Sequence, residues 1–161
     1  MDPSKTFEPK NEILDAPLHE IGFEISEISP QKITGHFSVT EKCCNPFKVL
    51  HGGVSALIAE SLASMGAHVT SGFQRMAGVH LSIHHLKSAN LGEIVHAEAK
   101  PLNVGKSIHV WEVNLWKSDN SSKLGNRILI SSSRLTVKTI MVVPEKVKDA
   151  AANLIKKYAK L

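Results

Sequence analysis

The chain has 161 residues, enough for one domain with a real core and too few for two ordinary domains. With 42% hydrophobic and 21% charged residues it reads as a globular protein, and the lack of any run of about 18 apolar residues excludes a membrane-spanning helix. The formal net charge is +4, but Lys and Arg are scattered and aromatic residues are few, which argues against a nucleic-acid partner and is met equally well by a few basic groups around a polyanionic ligand.

Residues 1–15 read as a loose polar arm. Pro3, Pro9 and mixed charges show no period, and nothing there has the apolar stretch of a secretory signal or the pattern of a transit peptide. A short helix is predicted over 17–22 and strands over 22–29 and 31–40. In the second strand Ile33, Gly35, Phe37 and Val39 alternate with Thr34, His36, Ser38 and Thr40, a period of two. Residues 41–50 read as a loop with Asn45-Pro46 as its turn signal. The adjacent Cys43 and Cys44 do not make a disulfide framework and suit loop packing in a reducing compartment.

One long helix is predicted over 52–70. Val54, Leu57, Ile58, Leu62, Met65 and Val69 form its apolar stripe, while Ala56, Ala59, Ala63 and Ala67 occupy the opposite side. A helix that is apolar or small all round is buried all round. Gly72 stands where a helix stop is expected. Four strands follow, over 76–87, 93–104, 106–117 and 127–139, separated by Gly92, Gly105 and the polar run 118–125 in the manner of antiparallel hairpins. On the first of them Val79, Leu81, Ile83 and His85 are expected to share one face. A final amphipathic helix is predicted over 145–158, within a C-terminal segment 141–161. The economical architecture is α+β: an antiparallel sheet wrapped around one long central helix.

Glu60 stands out on that helix. It and His68 are the only ionisable residues between Gly52 and Thr70, and burying an unpaired carboxylate costs several kcal/mol or shifts its pKa. A carboxylate retained at such a position points to chemistry. The helix also opens on Gly52-Gly53, where free backbone N–H groups and close ligand approach suit the oxyanion of an acyl-transfer intermediate. Gly52 and Glu60 are eight residues apart, roughly 12 Å along a helix rising about 1.5 Å per residue. One helix is too long to bring both to a single small group. Two antiparallel copies could, so the active site is expected at a homodimer interface.

From His51-Gly52-Gly53 to Glu60 the sequence resembles the hotdog thioesterases of the aromatic acyl-CoA type. The likeness runs from Asn45 through Ser61 and continues in His85-Leu86-Lys87-Ser88-Ala89, Val110-Trp111 and Ser132-Ser133-Arg134-Leu135-Thr136. It implies a hotdog fold over 16–140, an acyl-CoA substrate with a hydroxylated bicyclic or benzoyl-type acyl group, and a homotetramer. It also implies roles. Glu60 would be nucleophile or general base, Gly52 would donate its N–H to the thioester oxygen, and His51 would orient the acyl group or oxyanion. Ser64 would hold the water or the carboxylate. His85 and Gly53 would contact the acyl group, and Lys87, Lys106, Ser133 and Arg134 would serve the CoA phosphates. The family often has Gln where this chain has Asn45, one methylene shorter, so the amide contact to the carbonyl is expected to be lost, bridged or remade.

No cofactor is expected beyond the coenzyme A of the substrate, and no metal. His80, His84 and His85 form the only close histidine group, but on a strand His84 and His85 face opposite sides and His80 lies about 13 Å from His84. Ala159-Lys160-Leu161 resembles a receptor-read peroxisomal address, so a peroxisomal location and an import receptor are expected. Competing readings are a hotdog hydratase or dehydratase and a non-catalytic acyl-CoA binding protein.

Overall fold

The computed structural model describes residues 14–119, 125–140 and 150–159. A short helix α1 (Ala16–Glu20), capped by the Asp15 carboxylate on Leu18 N–H, leads into β1 (Glu24–Ile28) and β2 (Ile33–Ser38). A single 3-10 turn (Glu41–Cys43) precedes the long helix α2 (Gly52–Thr70). Then come β3 (Met76–His85), β4 (Ile94–Val104), β5 (Ile108–Ser118), β6 (Arg127–Thr139) and α3 (Ala150–Tyr158). Helix, strands and hairpins stand where the periodicity predicts them, within a few residues at the ends. Of the expected C-terminal segment, 141–149 lies outside the described residues, as do residues 1–13 of the arm.

All six strands pair antiparallel in the order β1-β2-β4-β5-β6-β3. The sheet curls around α2, which packs against β2 through β6. This is the hotdog arrangement. The core lies between them: Ile58, Leu62 and Ala63 of the helix meet Trp111, Val113, Leu115, Leu135 and Val137 of the sheet, all essentially inaccessible. Trp111 explains why a glycine is tolerated inside α2. A Cβ on Gly66 would stand 2.4 Å from the indole ring, so the helix rests directly on that aromatic face. The helix ends as expected: Thr70 Oγ1 donates back to Gly66 O, and Gly72 takes a positive φ of 71° that reverses the chain.

Two expectations need correction. The first is the face of β3. The pairing slips between Gly78 and His80, leaving Val79 as the extra residue of a β-bulge. The bulge shifts the alternation by one. Met76 and Leu81 pack towards the core and Gly78 faces the helix, whereas Val79 is 62% exposed. A strict period of two cannot anticipate such an insertion. The second is the burial of α2. Ile58, Ala59, Leu62, Ala63, Met65, Ala67 and Val69 are buried, but Gly53 and Glu60 are exposed and Ala56, Leu57, Ser61 and Ser64 only half-covered. These residues recur every three or four positions, so they form one strip that this chain leaves open. Glu60 is therefore not buried by its own chain.

Candidate active site

The start of α2 is built by His51. Its backbone N–H donates to Cys43 O, and its ring accepts at Nδ1 from Gly53 N–H at 2.8 Å, which makes it the N-cap. Its carbonyl accepts from Val54 and, more weakly, from Ser55. The Gly52 N–H is left with no acceptor among the described residues. A lone donor at the positive end of a helix is what a developing oxyanion requires. Because Nδ1 of His51 accepts, the ring proton of the neutral form sits on Nε2, where it can be offered to a ligand.

His85, at the end of β3, closes this end of the site. Its Nε2 lies 3.0 Å from where a Cβ on Gly52 would be. Asn45, Gly52, Ser55, His85 and Lys87 all line one cleft of about 390 Å³. The sequence-predicted residues Asn45, Gly52, His85 and Lys87 are thus brought together. Asn45 spends its side-chain oxygen on the loop: Oδ1 accepts from Phe47 N–H at 2.9 Å and from Val49 N–H at 3.5 Å. That fixes the amide plane and leaves its NH2 group as the part able to meet a substrate.

Glu60 lies elsewhere. It is two turns further along α2 and opens, with Ser64 and Ser61, onto a larger cavity of about 1250 Å³. Its carboxylate is aimed at the edge strand β3, next to the bare backbone of Gly78. Lys106, on the β4–β5 turn, lines the same cavity together with Arg75 and Lys138. All three are exposed, and none makes an ion pair with another described residue. The far wall is apolar, formed by Met65, Phe73, Met76 and Ile155. One chain therefore holds the Glu60 carboxylate and the unpaired Gly52 N–H in two separate clefts.

Two phosphate candidates are not brought to either cleft. Ser133 is 1% exposed on the inner face of the sheet, so its hydroxyl is not offered to a phosphate. Arg134, its neighbour, necessarily points to the opposite face and pairs with Glu112 at 3.6 Å. Arg75, Lys138 and Gly78 escape sequence reasoning. The two basic residues belong to no motif and meet Lys106 only through the fold. Gly78 carries the one available signal, a glycine inside a strand. Among the described residues no group of His, Cys, Asp and Glu is placed to hold a metal ion, and no helix is long and apolar enough to cross a membrane.

The family model described as Thioesterase superfamily matches residues 47–123, the stretch that runs from the loop before His51 to beyond β5. The chain is 56% identical to 1,4-dihydroxy-2-naphthoyl-CoA thioesterase 2 of Arabidopsis thaliana, over 92% of this chain and 95% of that protein. It is 37% identical to the 1,4-dihydroxy-2-naphthoyl-CoA hydrolase of Listeria monocytogenes, over 73% of this chain and 92% of the other. Among solved structures, a thioesterase from Haemophilus influenzae superposes with a TM-score of 0.67 at 29% identity, covering 80% of this chain and 85% of that one.

Proposed function

This chain belongs to the thioesterase superfamily and is a thioester hydrolase, and on that premise we propose that it cleaves an aromatic acyl-CoA, 1,4-dihydroxy-2-naphthoyl-CoA, to the free acid and coenzyme A in phylloquinone biosynthesis. The observation that carries the choice of acyl group is the similarity to the plant thioesterase of that name, which extends over nearly the whole chain. The apolar far wall of the Glu60 cavity suits a flat aromatic group, and the Arg75, Lys106 and Lys138 rim suits the phosphates of coenzyme A.

The chemistry follows from the free groups. The Gly52 N–H donates to the thioester oxygen as negative charge grows on it. Glu60 either attacks the carbonyl carbon, giving an anhydride that water then opens, or removes a proton from the attacking water. In both cases the C–S bond breaks and coenzyme A leaves as a thiolate that takes up a proton. Ser64, one turn from Glu60 on the same open strip, can hold the water or the carboxylate. His51 Nε2–H and the Asn45 amide can support the oxyanion.

The two clefts of one chain become a single site in a homodimer with antiparallel α2 helices, Glu60 of one copy facing Gly52 of the other. Two features of the fold favour that pairing: the open strip of small and polar residues along α2, and the unpaired edge of β3 with exposed Val79. A homotetramer of two such dimers belongs to the same proposal. So does peroxisomal residence: where Ala159-Lys160-Leu161 stands at a free C-terminus, the import receptor would read it. Ala159 is half-buried at the end of α3, and Lys160 and Leu161 lie outside the described residues.

Hydrolysis of a panel of CoA esters tests the substrate. The expected order places 1,4-dihydroxy-2-naphthoyl-CoA first, with kcat/KM at least about tenfold above benzoyl-CoA and aliphatic esters, a difference of about 1.4 kcal/mol in transition-state binding. A preference for an aliphatic or benzoyl ester would overturn it.

A further inference from the structure

The residue against which the Glu60 carboxylate lies is a glycine, and nothing in its backbone calls for one. Gly78 does not adopt a positive φ, it is solvent-exposed rather than packed in the core, and glycine inside a strand is a cost in itself. What its missing side chain provides is space. A Cβ there would lie 2.8 Å from Glu60 Oε1, 3.5 Å from Cδ and 3.9 Å from Cγ. The neighbouring bulge is part of the same construction. Were Val79 regularly paired instead of bulged, the alternation of Leu81, Ile83 and His85 would continue to position 79 and turn a β-branched side chain towards the helix. With the bulge, position 78 takes that place. Bulge and glycine together cut a notch in the edge strand where the carboxylate lies.

We propose that Gly78 is a positioning residue for hydrolysis: the notch fixes where the Glu60 carboxylate stands and keeps free the space beside it for the thioester carbon or the attacking water. This rests on the reading of Glu60 as the catalytic carboxylate. A methyl at position 78 displaces the end of one flexible, exposed side chain and no backbone, so the fold tolerates it while the carboxylate swings away. A misplacement of about 1 Å is enough to cost on the order of a hundredfold in rate.

The test is a double-mutant cycle on the full chain. Gly78→Ala is expected to lower kcat by about 10- to 100-fold with KM changed less than about threefold. In a Glu60→Asp background, whose carboxylate is one methylene shorter and no longer reaches the notch, the same Gly78→Ala change is expected to cost less than about twofold. A loss through misfolding or strand pairing would appear equally in both backgrounds and would refute the positioning role. So would a Gly78→Ala enzyme within twofold of the parent. Glu60→Ala separates the two levels: substantial turnover there refutes the catalytic role of Glu60, whereas its loss beside a fully active Gly78→Ala refutes only the role of Gly78.

Discussion

His85 Nε2 stands 3.0 Å from the point where Gly52 would carry a Cβ, so the imidazole rests against the bare backbone whose N–H has no internal acceptor. The pair separates two functions of the glycine, leaving room and offering a donor. Proline at position 52 removes the donor while respecting the backbone. It is the first residue of the helix, where proline is favoured, and His51 at φ −67° and ψ 130° already has the conformation preferred before proline. Gly52→Pro is expected to fold, with a melting temperature close to the parent's, and to lose about 100- to 1000-fold in kcat. Gly52→Ala keeps the N–H and only crowds the exposed His85 ring, so its loss should be at least about tenfold smaller. Equal losses in the two variants, read from steady-state kinetics, would show that the N–H is not what matters.

His51 caps the helix and, in the proposed site, supports the oxyanion. His51→Ala is expected to cost about 1 kcal/mol of stability, because Gly53 N–H loses its acceptor. His51→Asn, a good cap without an imidazole, should recover most of that stability and little of the activity. Urea unfolding and kcat measured on the same two variants check this. Activity that follows stability in both would leave His51 a structural role only.

The basic rim predicts a split by substrate. Lys106→Ala and Lys138→Ala should each raise KM for a CoA ester by up to about tenfold, corresponding to a charged hydrogen bond worth about 1.5 kcal/mol. The same variants should hydrolyse the matching N-acetylcysteamine thioester, which has no phosphates, with unchanged KM. A rise for both substrates would place these residues at the acyl group or the fold instead.

Stability should decline in acid, in part through His109. This side chain is 1% exposed beneath α2, with Nδ1 3.2 Å from Thr70 Oγ1. Burial holds its pKa below the ordinary imidazole range, against the opposing effect of a hydrogen bond with the Gly105 backbone. The folded chain therefore takes up this proton less readily than the unfolded chain. The contribution is fully present above about pH 6.5, the ordinary imidazole pKa, and is lost progressively as pH falls through it. His109→Gln should make the urea midpoint less dependent on pH between about pH 7 and about pH 5. Some slope should persist, because burial, then Arg127 and His36, also lower His96. An unchanged slope would contradict the assignment.

Much of the fold was legible in the sequence because its signals are local. The glycines and polar runs between strands, the Ala-rich stretch 52–70 and the helix stop at Gly72 each depend on a few neighbouring residues. The pairing of Asn45, Gly52 and His85 in one cleft was legible only through the family resemblance, since β3 is joined to α2 by tertiary packing. The β3 bulge was not legible. It inserts one residue, turns Gly78 rather than Val79 towards Glu60 and leaves no trace in an alternating pattern. Nor was the exposure of Glu60. Ala and Ser at Ala56, Ser61 and Ser64 are compatible with burial under the same chain and with burial under another copy, and a single sequence does not distinguish the two covers. The gathering of Arg75, Lys106 and Lys138 at one rim depends on three separate elements meeting, which composition does not record.

The central claim is a site shared between two copies, with Glu60 from one and Gly52 from the other. Co-expression of differently tagged Glu60→Ala and Gly52→Pro chains, each inactive alone, tests it most directly. With random pairing, half of the dimers are mixed, and each mixed dimer holds one intact site of its two. The account predicts recovery of about a quarter of the parent activity, concentrated in the doubly tagged fraction. Activity no higher than that of the two inactive parents would mean that each chain supplies both residues to its own site, and would contradict it.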